Sequence, residues 1–222
     1  MQTQSDHWRR AGMIEVKNQF TKHGIFWWFA LPLVATVLLP MAFGEEFFLI
    51  TQNEVEFFKQ LRVDTDATTK SANAWFKAMF IDTKIFSIFN EIFANGPAAN
   101  VNDFNHMASK VTGDWNKGFW NMQFRAIWRL HALWPIYIAG ILAIVIPAFF
   151  DGLVTRAVKK YNFQVHNPVI FYTSAHFAVL VIGLAYFIPF LPVSLDATYI
   201  GGFFILLSVS IWQLAANFQS GV

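Results

Sequence analysis

The amino-acid sequence predicts an all-α integral membrane protein with four transmembrane helices and a helical external insertion between the first and the second. Composition supports this fold class, because 55% of the 222 residues are hydrophobic and only 14% are charged, against roughly 25% charged residues in soluble proteins. The sequence also has four apolar stretches of about 18 to 20 residues, which is enough to cross a bilayer core of about 30 Å as a helix.

The four apolar stretches define the predicted transmembrane helices, which cover residues 24–43, 131–150, 175–193 and 198–215. A short turn with Pro189, Pro192 and Asp196 joins the last two, so we expect an antiparallel helical hairpin. For the first stretch a cleavable signal peptide is an alternative, because basic residues precede it. The apolar run is longer than the usual core of a signal peptide, which favours a transmembrane helix.

The positions of Lys and Arg predict how the chain is oriented. Four of them lie in residues 1–23 and three in residues 151–174, whereas the turn between the last two predicted helices has none. Short basic segments tend to stay in the cytoplasm. We therefore expect residues 1–23, 151–174 and 216–222 to be cytoplasmic and residues 44–130 to be periplasmic. Residues 1–23 are either an amphipathic helix on the membrane surface or an unstructured tail.

The external insertion, residues 44–130, is predicted to contain three helices. The first covers residues 45–62, the second residues 72–94, and the third starts near Asn102 and runs toward the second transmembrane helix. On the second helix, polar residues at spacings of four and seven form a narrow stripe on an otherwise apolar surface; they are Asn73, Lys77, Lys84 and Glu91. Because so many Phe and Trp side chains cannot remain solvated, we expect the insertion to be compact.

Residue types exclude several enzyme classes. The chain has no cysteine, so it has no disulfide, thiolate metal site or thiol nucleophile. It also lacks the motifs typical of zinc proteases, serine hydrolases, P-loop NTPases and dinucleotide-binding proteins. We therefore predict a non-enzymatic protein and assign no catalytic, cofactor-binding or metal-binding residue. The net charge of +2 gives no reason to predict direct nucleic-acid binding.

The six histidines are the feature that suggests a cofactor. In the predicted topology, His131 and His176 lie on opposite sides of the membrane, so they cannot bind one haem between them. His23 and His176 share the cytoplasmic side, and that pair is sterically able to do so. Histidines that reach the membrane interface from helix ends are the simpler explanation.

Asp151 is the acidic residue closest to an apolar stretch. A carboxylate in the middle of a transmembrane helix indicates an ion or proton path, but Asp151 is expected at the cytoplasmic boundary. There we expect it to cap the helix that follows or to form an ion pair with Arg156. Arg156, Lys159 and Lys160 follow one another at helical spacing, so we expect them to lie on one side of that helix.

A pattern of strings covers residues 124–219: FRAIWRLHALWP, FFDGLVTRAVKKYNF, NPVIFYTSAHF and the late Asn217-Phe-Gln219. On these strings the chain resembles a family of inner-membrane proteins encoded in conjugative transfer regions of plasmids and integrative elements. The best-matched part is DGLVxRxxKKY followed by Pro168 and His176, whereas residues 1–123 match in layout only. The resemblance implies a component of a type IV secretion apparatus for DNA transfer in the bacterial inner membrane, beside the coupling ATPase.

The resemblance supplies no catalytic residue, but it directs attention to the cytoplasmic side, where an ATPase partner would bind. The candidate partner-binding residues are Asp151, Arg156, Lys159, Lys160, Tyr161, Pro168 and His176. The alternative function is a small membrane-anchor subunit of a redox complex that binds haem through cytoplasmic histidines. Both functions include contact with the lipid bilayer, and the sequence leaves a homo-oligomer open.

Overall fold

The computed structural model describes residues 20–94, 102–161 and 168–218. The regular elements of these residues are all helical, which confirms the all-α prediction. In chain order the α-helices are α1 (Phe20–Ile25), α2 (Leu31–Ala42), α3 (Gln52–Gln60), α4 (Thr65–Phe76), α5 (Ile85–Ala94), α6 (Asn102–Gly140), α7 (Ile146–Tyr161), α8 (Pro168–Phe187) and α9 (Ala197–Ala216).

Short helical turns of other types connect or extend these helices. The π-helical turns are Phe26–Ala30, Lys77–Ile81 and Ile141–Val145, and the 3-10 turns are Glu45–Phe48 and Ile188–Phe190. Because the third π-helical turn joins α6 directly to α7, residues 102–161 form one helical run, about 90 Å long at a rise of about 1.5 Å per residue.

Within the described residues, three helices are long and apolar enough to cross a membrane. They lie in Gly113–Lys159, Val169–Phe190 and Ala197–Ala216, which correspond to the second, third and fourth predicted transmembrane helices. The first predicted transmembrane helix coincides with a shorter apolar helix, Trp28–Ala42. A fourth membrane crossing therefore stays a prediction.

Two predicted domain boundaries fall inside the long helical run. The boundary after residue 130 lies in α6, and the boundary before Asp151 lies in α7. The expectation that Asp151 caps a helix is therefore wrong, because the N–H groups that follow it already donate within the helix. The connection 151–174 is helical up to Tyr161 and again from Pro168. Residues 162–167, most of the tail 1–23 and residues 219–222 lie outside the described residues.

The last two helices form the expected hairpin. α8 begins at Pro168 rather than at residue 175, because proline suits the first turn of a helix. Asp196 caps α9, since its carboxylate accepts a hydrogen bond from the backbone N–H of Thr198 at 2.8 Å. α9 packs along both α7 and α8. α1 and the turn that follows it also pack on α8, where the indole N–H of Trp28 donates to Val179 O at 3.1 Å.

The insertion contains more and shorter helices than the sequence predicts. The first expected helix consists of the 3-10 turn Glu45–Phe48 and α3. The expected helix 72–94 is wrong in extent, because it consists of α4, a π-helical turn and α5, and starts at Thr65. The chain breaks before α5 at Lys84, which has a left-handed backbone (φ 62°). The four polar residues of the predicted stripe therefore do not share one helix.

Aromatic side chains hold the insertion together, as expected for a compact unit. Phe89 stacks on Phe119 of α6 with ring centroids 4.9 Å apart, and Phe86 lies 4.8 Å from Trp120. Such ring pairs stabilise packing beyond the area that they bury. The opposite face of α5 remains apolar and exposed, with Ile88 at 55%. Among the described residues, α6 packs on one side of α5 and nothing covers the other.

Candidate functional site

The best-matched string of the sequence lies on α7, and its side chains meet the end of α9. We call the residues that meet there the helix-end cluster. It consists of Asp151, Gly152, Arg156 and Lys159 of α7, Phe171 of α8, and Trp212, Asn217 and Phe218 at the end of α9. The structure thus brings three of the predicted partner-binding residues together on the face of α7 that packs on α9.

Asp151 binds α9 rather than its own helix. Its carboxylate Oδ2 accepts a hydrogen bond from the indole N–H of Trp212 at 2.7 Å. The expected ion pair with Arg156 is wrong, because both ion pairs among the described residues involve Glu54 instead. An acceptor for the indole N–H is what an aromatic side chain at a helix interface needs. Asp151 therefore fastens α9 to α7.

Gly152 lets the two helices approach closely. A Cβ atom at this position would lie 2.6 Å from the backbone oxygen of Trp212 and 2.7 Å from the Cβ of Ala215. Both distances are shorter than ordinary contacts, and one is to backbone, so neither helix can yield easily. Small residues at such crossings are typical of helices that pack in membranes. This contact explains why glycine follows aspartate in the matched string.

The basic residues of α7 reach the last residues of the described chain. The guanidinium of Arg156 lies 5.2 Å above the ring of Phe218, which is a cation–π distance. Phe218 also packs on Phe171 of α8, with ring centroids 5.7 Å apart. Lys159 Nζ donates to the amide oxygen of Asn217 at 3.2 Å, and Asn217 is buried at 2% exposure. Arg156 and Lys159 therefore share one side, as expected, and that side faces α9.

The other candidate residues lie around this cluster. Tyr161 ends α7 and Pro168 begins α8, so both stand at the helix ends that meet residues 162–167. The side chains of Lys160, Tyr161 and Pro168 lie outside what the structure describes. His176 is half-buried on α8, five residues beyond Phe171. Contacts within one chain do not bear on partner binding, which stays a prediction for these residues.

A second polar site, which the sequence analysis missed, lies at the other end of the helical hairpin. Glu54 of α3 and Arg125 and Arg129 of α6 are all buried, at 0%, 2% and 0% exposure. Arg129 donates to both oxygens of Glu54, from Nε to Oε1 at 2.6 Å and from Nη2 to Oε2 at 2.9 Å. Arg125 Nε lies 3.9 Å from Glu54 Oε2. We call these three residues the buried charge network.

Backbone carbonyls complete the buried charge network. Arg129 Nη1 donates to Leu191 O at 2.8 Å, and Arg125 Nη2 donates to the same oxygen at 2.9 Å. Both arginines also donate to Val193 O, and Arg125 donates to Phe47 O. These oxygens belong to the turn between α8 and α9 and to the turn Glu45–Phe48. The network therefore ties the insertion to the hairpin through α6.

The buried charge network carries an excess of positive charge. Two guanidinium groups and one carboxylate leave one net positive charge away from water, and only carbonyl dipoles compensate it. Arginine stays protonated under all physiological conditions, so neither guanidinium group serves as an acid or a base. The signal in the sequence was the pair of arginines four residues apart inside the apolar string FRAIWRLHALWP, which places both on one face of a helix.

No metal centre is found among the described residues, where no three His, Asp or Glu side chains are grouped closely enough to hold an ion. His131 Nδ1 instead donates to Ile127 O at 2.9 Å. Its ring meets the ring of Trp75 edge-on, with centroids 5.6 Å apart. The histidine thus serves packing between α4 and α6.

Comparison with known protein families gives a match over most of the chain. The family is DtrJ-like, described as IncC plasmid conjugative DNA transfer protein DtrJ-like, and its model matches residues 45–219. No curated protein and no solved structure matches the chain. The matched range includes the helix-end cluster, the buried charge network and the insertion. The match in the insertion goes beyond the sequence resemblance, which covered residues 1–123 in layout only.

Proposed function

The chain belongs to the DtrJ-like family of conjugative DNA transfer proteins, and on this basis we propose that it is a non-enzymatic membrane component of a conjugative type IV secretion apparatus. The family match is the observation that carries this proposal. It favours DNA transfer over the redox alternative, for which the comparisons give no support.

Membrane placement is supported by the apolar surface that the chain leaves uncovered. In the helix Gly113–Lys159, only 11% of the most apolar 18-residue stretch is buried within the structure. Exposed side chains such as Leu142 (60%) and Phe150 (59%) need a cover other than this chain, and patches of this kind are rare on soluble monomers. Lipid is the cover that a helix of this length fits.

The proposed orientation follows the basic residues. Arg156, Lys159 and Lys160 lie at the end of α7, and short segments rich in Lys and Arg remain in the cytoplasm. The helix-end cluster is then cytoplasmic, whereas the buried charge network and the insertion are periplasmic. In this orientation the protein is a multi-pass protein of the bacterial inner membrane with both termini in the cytoplasm.

The partner that we propose for the helix-end cluster is the coupling ATPase. Contacts of Asp151, Arg156 and Lys159 hold the end of α9 to α7 there, and Phe218 packs on Phe171 of α8. A surface fixed in this way costs little conformational entropy on binding. Exposed apolar side chains flank it, with Val158 at 54% and Val169 at 69%. An apolar patch with basic neighbours suits a protein partner with acidic residues at its rim.

A charge-removal variant tests this proposal. Replacing Arg156, Lys159 and Lys160 by Gln is expected to lower the frequency of DNA transfer and the co-purification of the coupling ATPase, because the basic rim is lost. The level of the protein in the membrane fraction is expected to stay unchanged. Exchange within type, Arg156→Lys with Lys159→Arg, keeps the charges and is expected to preserve most of the transfer.

The same residues hold α9, so matched controls are needed. Asn217→Ala removes the acceptor of Lys159, and Phe218→Leu removes the ring below Arg156, while both keep every positive charge. Transfer that falls only in the Gln variant supports a partner contact. Transfer that falls equally in all three variants contradicts it and assigns the charges to packing within the chain.

A further inference from the structure

A cleft outside both polar sites lies where α4 of the insertion meets α6. Its volume is about 510 Å³. Its lining includes Arg62, Asp64, Ser71, His131, Pro135 and Ile136. The first four side chains give it a polar wall, and the last two give it an apolar wall. The apolar wall belongs to the helix Gly113–Lys159, which is long and apolar enough to cross a membrane.

Arg62 is an unusual residue for its position. Its backbone is left-handed (φ 61°) and ends α3, where Arg62 N–H donates to Lys59 O at 2.9 Å and Val63 N–H donates to Phe58 O at 3.0 Å. Glycine is the usual residue at such a helix end, because a Cβ atom is disfavoured there. The side chain is exposed, and both ion pairs among the described residues involve Glu54 instead. The cation therefore remains available to a ligand.

Asp64 supplies a negative charge two residues away. Its Oδ1 accepts hydrogen bonds from the N–H groups of Asp66 and Ala67, at 3.1 and 2.9 Å, and so caps α4. The second carboxylate oxygen is left for a ligand. Because Arg62 and Asp64 carry opposite charges and do not pair with each other, the cleft offers one separate cation and one separate anion with no net charge.

His131 adds a hydrogen-bonding atom between the polar and apolar walls. Since Ile127 O can only accept a hydrogen bond, the proton of the neutral ring is on Nδ1. Nε2 of that ring is then an acceptor. Beyond His131, Pro135 and Ile136 continue along α6, within the helix that is long and apolar enough to cross a membrane.

We propose that this cleft binds a zwitterionic aminophospholipid. The phosphodiester is bound by Arg62, the ammonium group is bound by Asp64 and Nε2 of His131, and an acyl chain lies along Pro135 and Ile136. The opposite charges of the headgroup match those of the cleft, and guanidinium groups bind phosphate oxygens in pairs. The inference rests on the membrane placement proposed above, because only there does the apolar wall meet acyl chains.

Native mass spectrometry of the full-length, delipidated protein in detergent tests the proposal. The probes are phosphatidylethanolamine, phosphatidylglycerol and inorganic phosphate. The wild type is expected to bind one added phosphatidylethanolamine molecule with an apparent Kd about tenfold below that for phosphatidylglycerol. Arg62→Gly is expected to weaken phosphatidylethanolamine binding about tenfold, as the loss of a charge-assisted hydrogen bond does. Asp64→Asn is expected to bind the two lipids equally.

The variants are chosen so that they fold. Glycine suits the left-handed backbone of position 62, and asparagine caps helices as well as aspartate does. Lys84→Gly is the matched control, because Lys84 has the same left-handed backbone (φ 62°) and does not line the cleft. It is expected to bind phosphatidylethanolamine like the wild type.

Four outcomes would overturn the proposal. They are no binding of phosphatidylethanolamine by the wild type, binding by Arg62→Gly as tight as by the wild type, equal affinity of the wild type for both lipids, and displacement of the lipid by inorganic phosphate. The last would assign the cleft to a free anion. Membrane placement is tested separately by extraction of membrane fractions with carbonate. If the protein resists extraction but binds no phosphatidylethanolamine, the lipid site is wrong and the membrane placement stands.

Discussion

Replacing Glu54 by Gln should strongly lower the free energy of unfolding, because it removes the only carboxylate of the buried charge network. Gln keeps the size of the side chain and can still accept one hydrogen bond, so the change acts on charge and leaves the packing intact. Arg125 and Arg129 would then share a buried site in which only carbonyl oxygens face them.

The expected magnitude follows from burial. Glu54 and Arg129 are both at 0% exposure, and Arg125 is at 2%. Removing one partner of a buried ion pair costs about 3–5 kcal/mol, since the other charge is left uncompensated in a low-dielectric site. Because Glu54 faces two guanidinium groups, we expect a loss of about 4–5 kcal/mol. The N-cap of α3 is unaffected by the change, because the Thr51 hydroxyl accepts its hydrogen bond from the backbone N–H of residue 54.

Unfolding by denaturant in mild detergent, followed by tryptophan fluorescence, measures this loss. Glu56→Gln is the matched control, because Glu56 lies on the same helix but is exposed; we expect a change within about 0.5 kcal/mol. The double variant Glu54→Leu with Arg129→Leu should cost less than the sum of its single changes. A loss below about 1 kcal/mol for Glu54→Gln, the value of an exposed ion pair, would refute the reasoning.

Three further predictions concern the helices and their orientation. Gly152→Ala should lower the free energy of unfolding by about 1–3 kcal/mol, because the added Cβ would lie 2.6 Å from a backbone oxygen of α9. In the same assay Gly201→Ala should be neutral or slightly stabilising, because a Cβ at that position has no atom within 4 Å. Asp196→Ala should cost about 1 kcal/mol through loss of the α9 cap, and Asp196→Asn should not lower the melting temperature. A cysteine introduced by Ser220→Cys should resist an impermeant thiol reagent in intact cells while Ser87→Cys on α5 reacts; labelling at residue 220 would contradict the proposed topology.

Local signals explain which helices the sequence predicts well. α9 was expected at residues 198–215 and is found at Ala197–Ala216, because an apolar run and the cap residue Asp196 are both local. The helix expected at residues 72–94 is wrong because no local signal marks its break. Its break at Lys84 uses neither glycine nor proline, so no residue of the kind that usually ends a helix marks it.

The polar sites were harder to predict because their partners are far apart in the sequence. Glu54 and Arg129 are separated by 75 residues, and Asp151 and Trp212 by 61. Periodicity assigns a residue to a face of a helix but does not say which helix packs there. From the sequence, the nearest cation, Arg156, is the expected partner of Asp151. In the structure α9 packs on α7, and the indole N–H of Trp212 binds Asp151 instead.

Photocrosslinking in mating cells tests most directly whether the helix-end cluster contacts the coupling ATPase. A photoreactive phenylalanine analogue is introduced at Val158 and Val169, which are exposed beside the cluster, and at Ile88, which is equally exposed on the insertion. We expect crosslinks to the coupling ATPase from residue 158 or 169 and none from residue 88. A protein that supports DNA transfer but crosslinks to the ATPase from residue 88 alone, or from none of the three, would contradict the proposed partner site.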